Sequence, residues 1–338
     1  MVLTGLSSIS TMDERRPGVT GEIPRAAIVT RRGRITWLGP EEGMPRRYRE
    51  LPDVDCGGRI ACPGFVDASA RLLTDLDGPD NQSMVERMLG SGITAMDVRA
   101  GGTGERPGDL RLLTTARAIG ERLPLWLSVT WVAGDLFSDA EMFSAACRLA
   151  SSVEVTCGGT GIDRFIERAG SLPVRVIACR KSDDGCLDNP AMISIGGWSA
   201  RLAHAAVQPP IIEAAAVLEG SPLPGRPLWD AGVRCALATG SGWEGIYLEG
   251  MSLVAALGGG LGALDAGEVL WSITRGGAMA TGDRNGGRLR MGDPADVVVL
   301  DTDSLSDITR RPDSRLPWKV MVAGAFVPEL QGFSGIRR

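Results

Sequence analysis

Gly57-Gly58-Arg59-Ile60-Ala61-Cys62-Pro63-Gly64-Phe65-Val66-Asp67 is the stretch on which the fold turns. From Ile60 to Val66 it is almost wholly apolar, yet Pro63 stands in its middle. Proline has no N–H to give to a sheet, so it is confined to strand edges, starts and breaks. The run therefore divides. One strand ends near Cys62, and a second starts near Phe65 and leads into a different part of the molecule.

Upstream the chain reads as short strands and turns. Ala26–Thr30 is apolar, Arg31-Arg32-Gly33 is a turn, Arg34–Leu38 resumes as a strand, and Gly39-Pro40 ends it. Downstream, strands alternate with helices. The strands are Phe65–Ala68, Thr94–Arg99, Leu125–Trp131, Val153–Cys157, Val174–Ala178, Met192–Ile195 and Val233–Thr239, with a weaker eighth near Ala214–Leu218. Gly108–Arg122, Ala140–Ser151 and Asp163–Gly170 are helical. This alternation predicts an α/β protein with a parallel sheet and crossover helices, and eight strands suit a closed (β/α)8 TIM-like barrel. The competing open, doubly wound sheet loses ground because no GxGxxG turn follows an early strand. Asp265-Ala266-Gly267-Glu268 has capping-box spacing ahead of an apolar helix, Val269–Ala280. Asp296–Asp301 and Trp318–Val322 are strands again. Both chain ends are thus β-rich, and residues 1–62 and 284–338 are expected to pair into a small β-sandwich domain beside a barrel of residues 63–283.

The formal net charge of −5, with no basic cluster, argues against a nucleic-acid partner. No apolar run is long enough for a membrane span. Met1 to Met12 lacks the basic and apolar regions of a signal peptide. The seven cysteines are odd in number and form no CxxC pair, which predicts reduced, buried thiols in a cytoplasmic protein. His204 is the single histidine. Hydrolase sites for zinc, iron or nickel lean on several imidazoles, and one histidine cannot build such a site.

With these pieces in place, Gly57–Asp67 resembles the amidohydrolase signature that leads into the first barrel strand. Gly292–Asp301 (GDPADVVVLD) resembles the return from that barrel. Gly92–Gly104, Thr130–Asp135, Val155–Gly158 and Gly232–Ser241 follow in matching order, and within the superfamily they are most similar to the imidazolonepropionases, ring-opening hydrolases of histidine breakdown. The resemblance implies a metal-activated water attacking a C=N or amide carbon. It places a His-x-His pair where this chain has Ser69 and Arg71, further histidines near Ile177 and near Gly196 or Gly197, and the metal-binding aspartate on Gly240. Substrate-facing tyrosine, histidine and glutamate fall near Gly102, Asp135 and Gly158. The expected metal ligands are absent, so no metal and no cofactor are expected.

Barrel active sites lie at the C-terminal strand ends. There Arg71, as a guanidinium in a metal-ligand position, is a candidate to anchor a carboxylate or stabilise an oxyanion, and Asp135 to move protons. Ser69, Arg99, Trp131, Cys157, Trp198, Ser241 and Trp243 are candidates for substrate binding. Two alternatives stay open. One is a metal-independent enzyme making or breaking a C–N bond in a small cyclic amide or imidazolone-type ring. The other is a non-catalytic binding or subunit-partner module, in which the arginines only fill internal ion pairs. The expected partner is a small heterocyclic or carboxylate ligand, with no nucleic acid, no membrane and a homodimer left open.

Overall fold

The structure is a computed structural model, and it describes residues 1–71, 80–157, 175–180, 193–195, 209–242, 245–312 and 316–327. Five strands come first: β1 (Val2–Ser10), β2 (Glu22–Arg31), β3 (Arg34–Pro40), β4 (Asp53–Asp55) and β5 (Ile60–Pro63). The turn between β2 and β3 is built from Arg32 (φ +51°) and Gly33 (φ +77°), both left-handed, as a two-residue hairpin loop requires. β5 ends at Pro63 and β6 (Phe65–Arg71) starts two residues later, so the proline divides the run as its chemistry dictates.

β6 opens a second sheet. It continues through β7 (Ile93–Gly101), β8 (Trp126–Val132), β9 (Ser152–Cys157), β10 (Arg175–Arg180), β11 (Ile193–Ile195), β12 (Ile211–Glu213) and β13 (Ala236–Ala238). All eight are parallel and lie side by side in chain order. The sheet returns to its start just beyond β13. Ala70 and Ser241 form a parallel bridge, Gly240 N donates to Ser69 O at 2.9 Å, and Arg71 N donates to Ser241 O at 2.7 Å. Helices α1 (Asp80–Gly90), α2 (Arg106–Arg122) and α3 (Ala140–Leu149) cover the outside of the first strands. The eighth strand expected at Ala214–Leu218 is corrected. The strand is Ile211–Glu213, and Ala214–Leu218 is a helix. Its three alanines favour helix, while the β-branched Ile211-Ile212 ahead of them favours strand. The expected helix Asp163–Gly170 lies outside the described residues.

The end of the chain returns to the first sheet. β14 (Val297–Leu300) pairs antiparallel with β5, followed by β15 (Pro317–Val322) and β16 (Ala325–Phe326). Both chain ends thus meet in one continuous hydrogen-bonded mixed sheet, ordered β16-β15-β14-β5-β1-β2-β3 with β4 beside β1. Leu3, Ile9, Ile28, Ile35, Val297 and Met321 fill its own core. A larger core joins the two sheets: Met12, Ile60, Cys62, Val298 and Val320 pack in the same cluster as Phe65, Met96 and Trp271. The capping box is present, with Asp265 accepting from Glu268 N and Glu268 accepting from Asp265 N, both at 2.8 Å.

Candidate functional site

Side chains alternate across a strand, and in β7 the alternation sorts chemistry from packing. Met96 and Val98 point outward into the helix layer. Asp97 and Arg99 form hydrogen bonds with side chains of neighbouring strands inside the closed sheet. Asp97 accepts from the hydroxyls of Ser128 and Thr130 (the latter at 2.5 Å), and Thr130 shares a 2.7 Å hydrogen bond with Ser152.

Arg99 is the centre of the site. Its guanidinium bridges two carboxylates, Glu154 on β9 and Glu213 on β12, and donates to Ser69 Oγ at 3.1 Å. Ser69 Oγ in turn donates to Glu213 Oε1 at 2.6 Å. All four residues are buried. Removing either carboxylate or the guanidinium would leave an uncompensated charge out of water, so the group behaves as one unit. Glu154 Oε2 is the loose end. It is buried and has no hydrogen-bond partner among the described residues.

Asp67 lies one layer away, fully buried. It accepts from Thr239 N (3.1 Å), Thr239 Oγ1 (2.5 Å) and Ser69 N (3.3 Å), tying β6 to the end of β13. Burial pushes its carboxyl up to about 7 despite those donors, and the nearby Glu213 charge adds to the rise. A carboxyl of this kind exchanges its proton near neutrality.

The resemblance places a metal at this position, and the donors here do not fit one. Ser69 and Arg71 stand where the resemblance puts an imidazole pair. The guanidinium of Arg99 already sits on Ser69 and Glu213, and a fixed cation repels a second one. Gly240 holds φ +61°, and a Cβ there would fall 2.8 Å from Glu213 Cβ, so an aspartate has no room while Glu213 keeps its place. Among the described residues no group of three or more His, Cys, Asp or Glu side chains is set to hold a metal ion.

The expected site residues separate. Ser69 and Arg99 meet in the buried cluster, where Arg99 forms internal ion pairs. Trp131 points outward, is fully buried, donates its indole N–H to Asp109 Oδ2 at 2.8 Å and stacks edge-on against Phe143. The alternation that turns Thr130 inward turns its neighbour outward, into the core beside Phe143. Ser241 is also buried. Its N donates to Thr239 Oγ1 at 3.0 Å, and its hydroxyl accepts from Leu248 N at 3.2 Å, which fastens the loop after β13. Arg71 is half-buried at the tip of β6, where its Cβ faces Gly242. Asp135 lies on the short turn Gly134–Ser138 just beyond β8. The side chains of Asp135 and Cys157, and all of Trp198, Trp243 and His204, lie outside the described residues. Glu154 and Glu213 were missed by sequence reasoning. Each is an isolated acid in a strand-like apolar setting (Val153-Glu154-Val155 and Ile211-Ile212-Glu213-Ala214), a pattern that marks a charge needing a buried partner.

Residues 218–327 match the Amidohydrolase family. Along most of its length the chain is similar to the imidazolonepropionase of Paracoccus denitrificans, with 25% identity over 92% of this chain and 96% of that one. Among solved structures, the 5-methylcytosine deaminase of Klebsiella pneumoniae aligns with a TM-score of 0.70 at 14% identity, covering 100% of this chain and 99% of that one. The N-isopropylammelide isopropylaminohydrolase of Burkholderia multivorans aligns with a TM-score of 0.69 at 15% identity, covering 96% and 97%. At those identities the two structures speak for the fold alone.

Proposed function

We infer, for a chain of the amidohydrolase superfamily with imidazolonepropionase-like sequence, a hydrolase-type protein that handles a small cyclic amide or imidazolone-type ring without a resident metal ion. One observation carries this reading. The Arg99 guanidinium, clamped by Glu154 and Glu213, donates to Ser69, a position that the resemblance gives to a metal ligand. It brings permanent positive charge to the heart of the strands, held by its own counter-ions, and such preorganised charge stabilises oxygen anions without reorganising. Arg71, at the end of β6, and Asp135, on the turn after β8, are the proposed substrate anchor and proton carrier. Ring opening adds water across a C–N bond: the carbon gains the oxygen, the nitrogen gains a proton, and a group such as Asp135 relays that proton. In this reading residues 63–283 form the barrel domain, and the sheet made by the chain ends is a small sandwich-like satellite.

A second reading, a non-catalytic binding or subunit-partner module, is favoured by one feature. Arg99, Glu154, Glu213 and Ser69 are all buried and bonded to one another, so they also serve as a plug.

The test is a metal analysis of the purified chain, combined with turnover of imidazolone-type rings and cyclic amides before and after chelation. The expected result is far less than one equivalent of metal and turnover that survives chelation. Stoichiometric zinc or iron, lost together with activity, would overturn the proposal. Ring binding without turnover would select the second reading.

A further inference from the structure

At the end of the strands opposite Arg99, a cavity of about 710 Å³ opens where the starts of β6, β7 and β8 face the chain-end sheet. That volume suits a small organic ligand. Its floor holds Thr94, only 2% exposed, whose hydroxyl makes no hydrogen bond among the described residues. Gly64 beside it makes room, since a Cβ there would fall 1.9 Å from Thr94 Oγ1. The wall is flat and apolar. Pro124 and Trp126 line it, and Trp126 is 36% exposed although it starts a central strand.

The charges at the rim are unequal. Asp283 turns its carboxylate onto the amides of Asn285 and Gly286, both at 2.9 Å, and Asp296 accepts from Ala323 N at 2.7 Å. Arg34 donates to Gly292 O at 2.8 Å, and Arg288 pairs with Asp293 at 2.9 Å. Arg32, exposed on the hairpin turn, has no ion pair or side-chain hydrogen bond among the described residues. Arg32 lines the same cavity as the Trp126 indole and Thr94. Apolar surface beside an exposed guanidinium is the complement of an aromatic ring bearing an acid group.

We propose that this cavity is a second binding site, for a small planar aromatic monoanion. Its ring lies against Trp126 and Pro124, its acid group faces Arg32, and the Thr94 hydroxyl supplies a further hydrogen bond. The site is separate from the Arg99 cluster and does not depend on how that cluster is used.

The experiment is calorimetric titration of the full chain with 2-naphthoate. Saturable one-to-one binding is expected. Trp126→Ala is expected to weaken it by about tenfold or more, equivalent to at least ~1.4 kcal/mol. Arg32→Gln, on an exposed turn where folding is not at stake, should weaken naphthoate but leave the neutral analogue 2-naphthylmethanol unchanged. Glu213→Gln, in the distant cluster, should leave binding intact. Absence of saturable binding to the wild type overturns the proposal, as does equal affinity in the Arg32→Gln variant, or loss of binding in Glu213→Gln with retention in Trp126→Ala.

Discussion

Glu213 holds its place because Gly240 has no side chain: a Cβ on Gly240, at φ +61°, would stand 2.8 Å from Glu213 Cβ. The two positions end neighbouring strands, and only one of them has room for a carboxylate. Gly240→Asp therefore combines a left-handed backbone with a clash, and should destabilise the protein by about 2–4 kcal/mol. A urea titration measures it. In a Glu213→Ala background the same change should cost clearly less, because the clash is relieved. Additive losses in the double variant would show that the two positions do not compete.

Arg99 is expected to be the most costly single residue to lose. Arg99→Met strands Glu154 and Glu213 as buried, unpaired carboxylates, at a cost of about 3–5 kcal/mol. Arg99→Met combined with Glu154→Gln and Glu213→Gln should recover a large part of that loss, since the charges leave together. Denaturant midpoints for the single and triple variants decide it. A mild Arg99→Met would contradict the clamp.

Asp67 sets a pH dependence with a definite sign. Burial raises its carboxyl in the folded chain from 3.8 to about 7, so the folded state holds a proton that the unfolded state has released. Its contribution to stability is full below about pH 4 and falls as pH rises toward 7, where the folded carboxyl also ionises. Asp67→Asn removes this titration. Its unfolding free energy should lose less between pH 4 and 7 than that of the wild type. Identical slopes across that window would refute the assignment.

Trp131 separates packing from recognition. Trp131→Phe keeps an aromatic ring beside Phe143 but takes the indole donor from Asp109, whose carboxylate still accepts from Thr103. A loss of about 1–3 kcal/mol in stability is expected. Binding of any small ring should be unchanged, as measured by calorimetry on wild type and variant.

Much of the architecture was legible from backbone chemistry. Pro63 announced the change of sheet, Arg32-Gly33 the hairpin, and Asp265 with Glu268 the helix cap. These are local effects, in which residue type alone dictates conformation. The strand expected at Ala214–Leu218 was misplaced by a few residues, since Ile211-Ile212-Glu213 is too short to show a period and the alanines after it carry no apolar stripe. The site was less legible. Ser69 and Arg99 could be placed at strand ends, but the acids that hold Arg99 come from strands 55 and 114 residues further along, and no local pattern shows which charges will meet. The direction of Trp131 was illegible for a different reason. Whether a strand residue faces in or out depends on a one-residue register, and Thr130 is the neighbour that turns inward.

β5 and β14 lie side by side although about 240 residues separate them, and nearly all of the parallel strands are made in between. On the ribosome, Ile60–Pro63 emerges early and must wait with one open edge until Val297–Leu300 has been synthesised. Such distant pairing slows folding and leaves sticky edges exposed in the nascent chain. Production in a host cell is therefore expected to respond to chaperone supply and to lower growth temperature, and a chain cut short before Val297 would lack the strand that closes this edge.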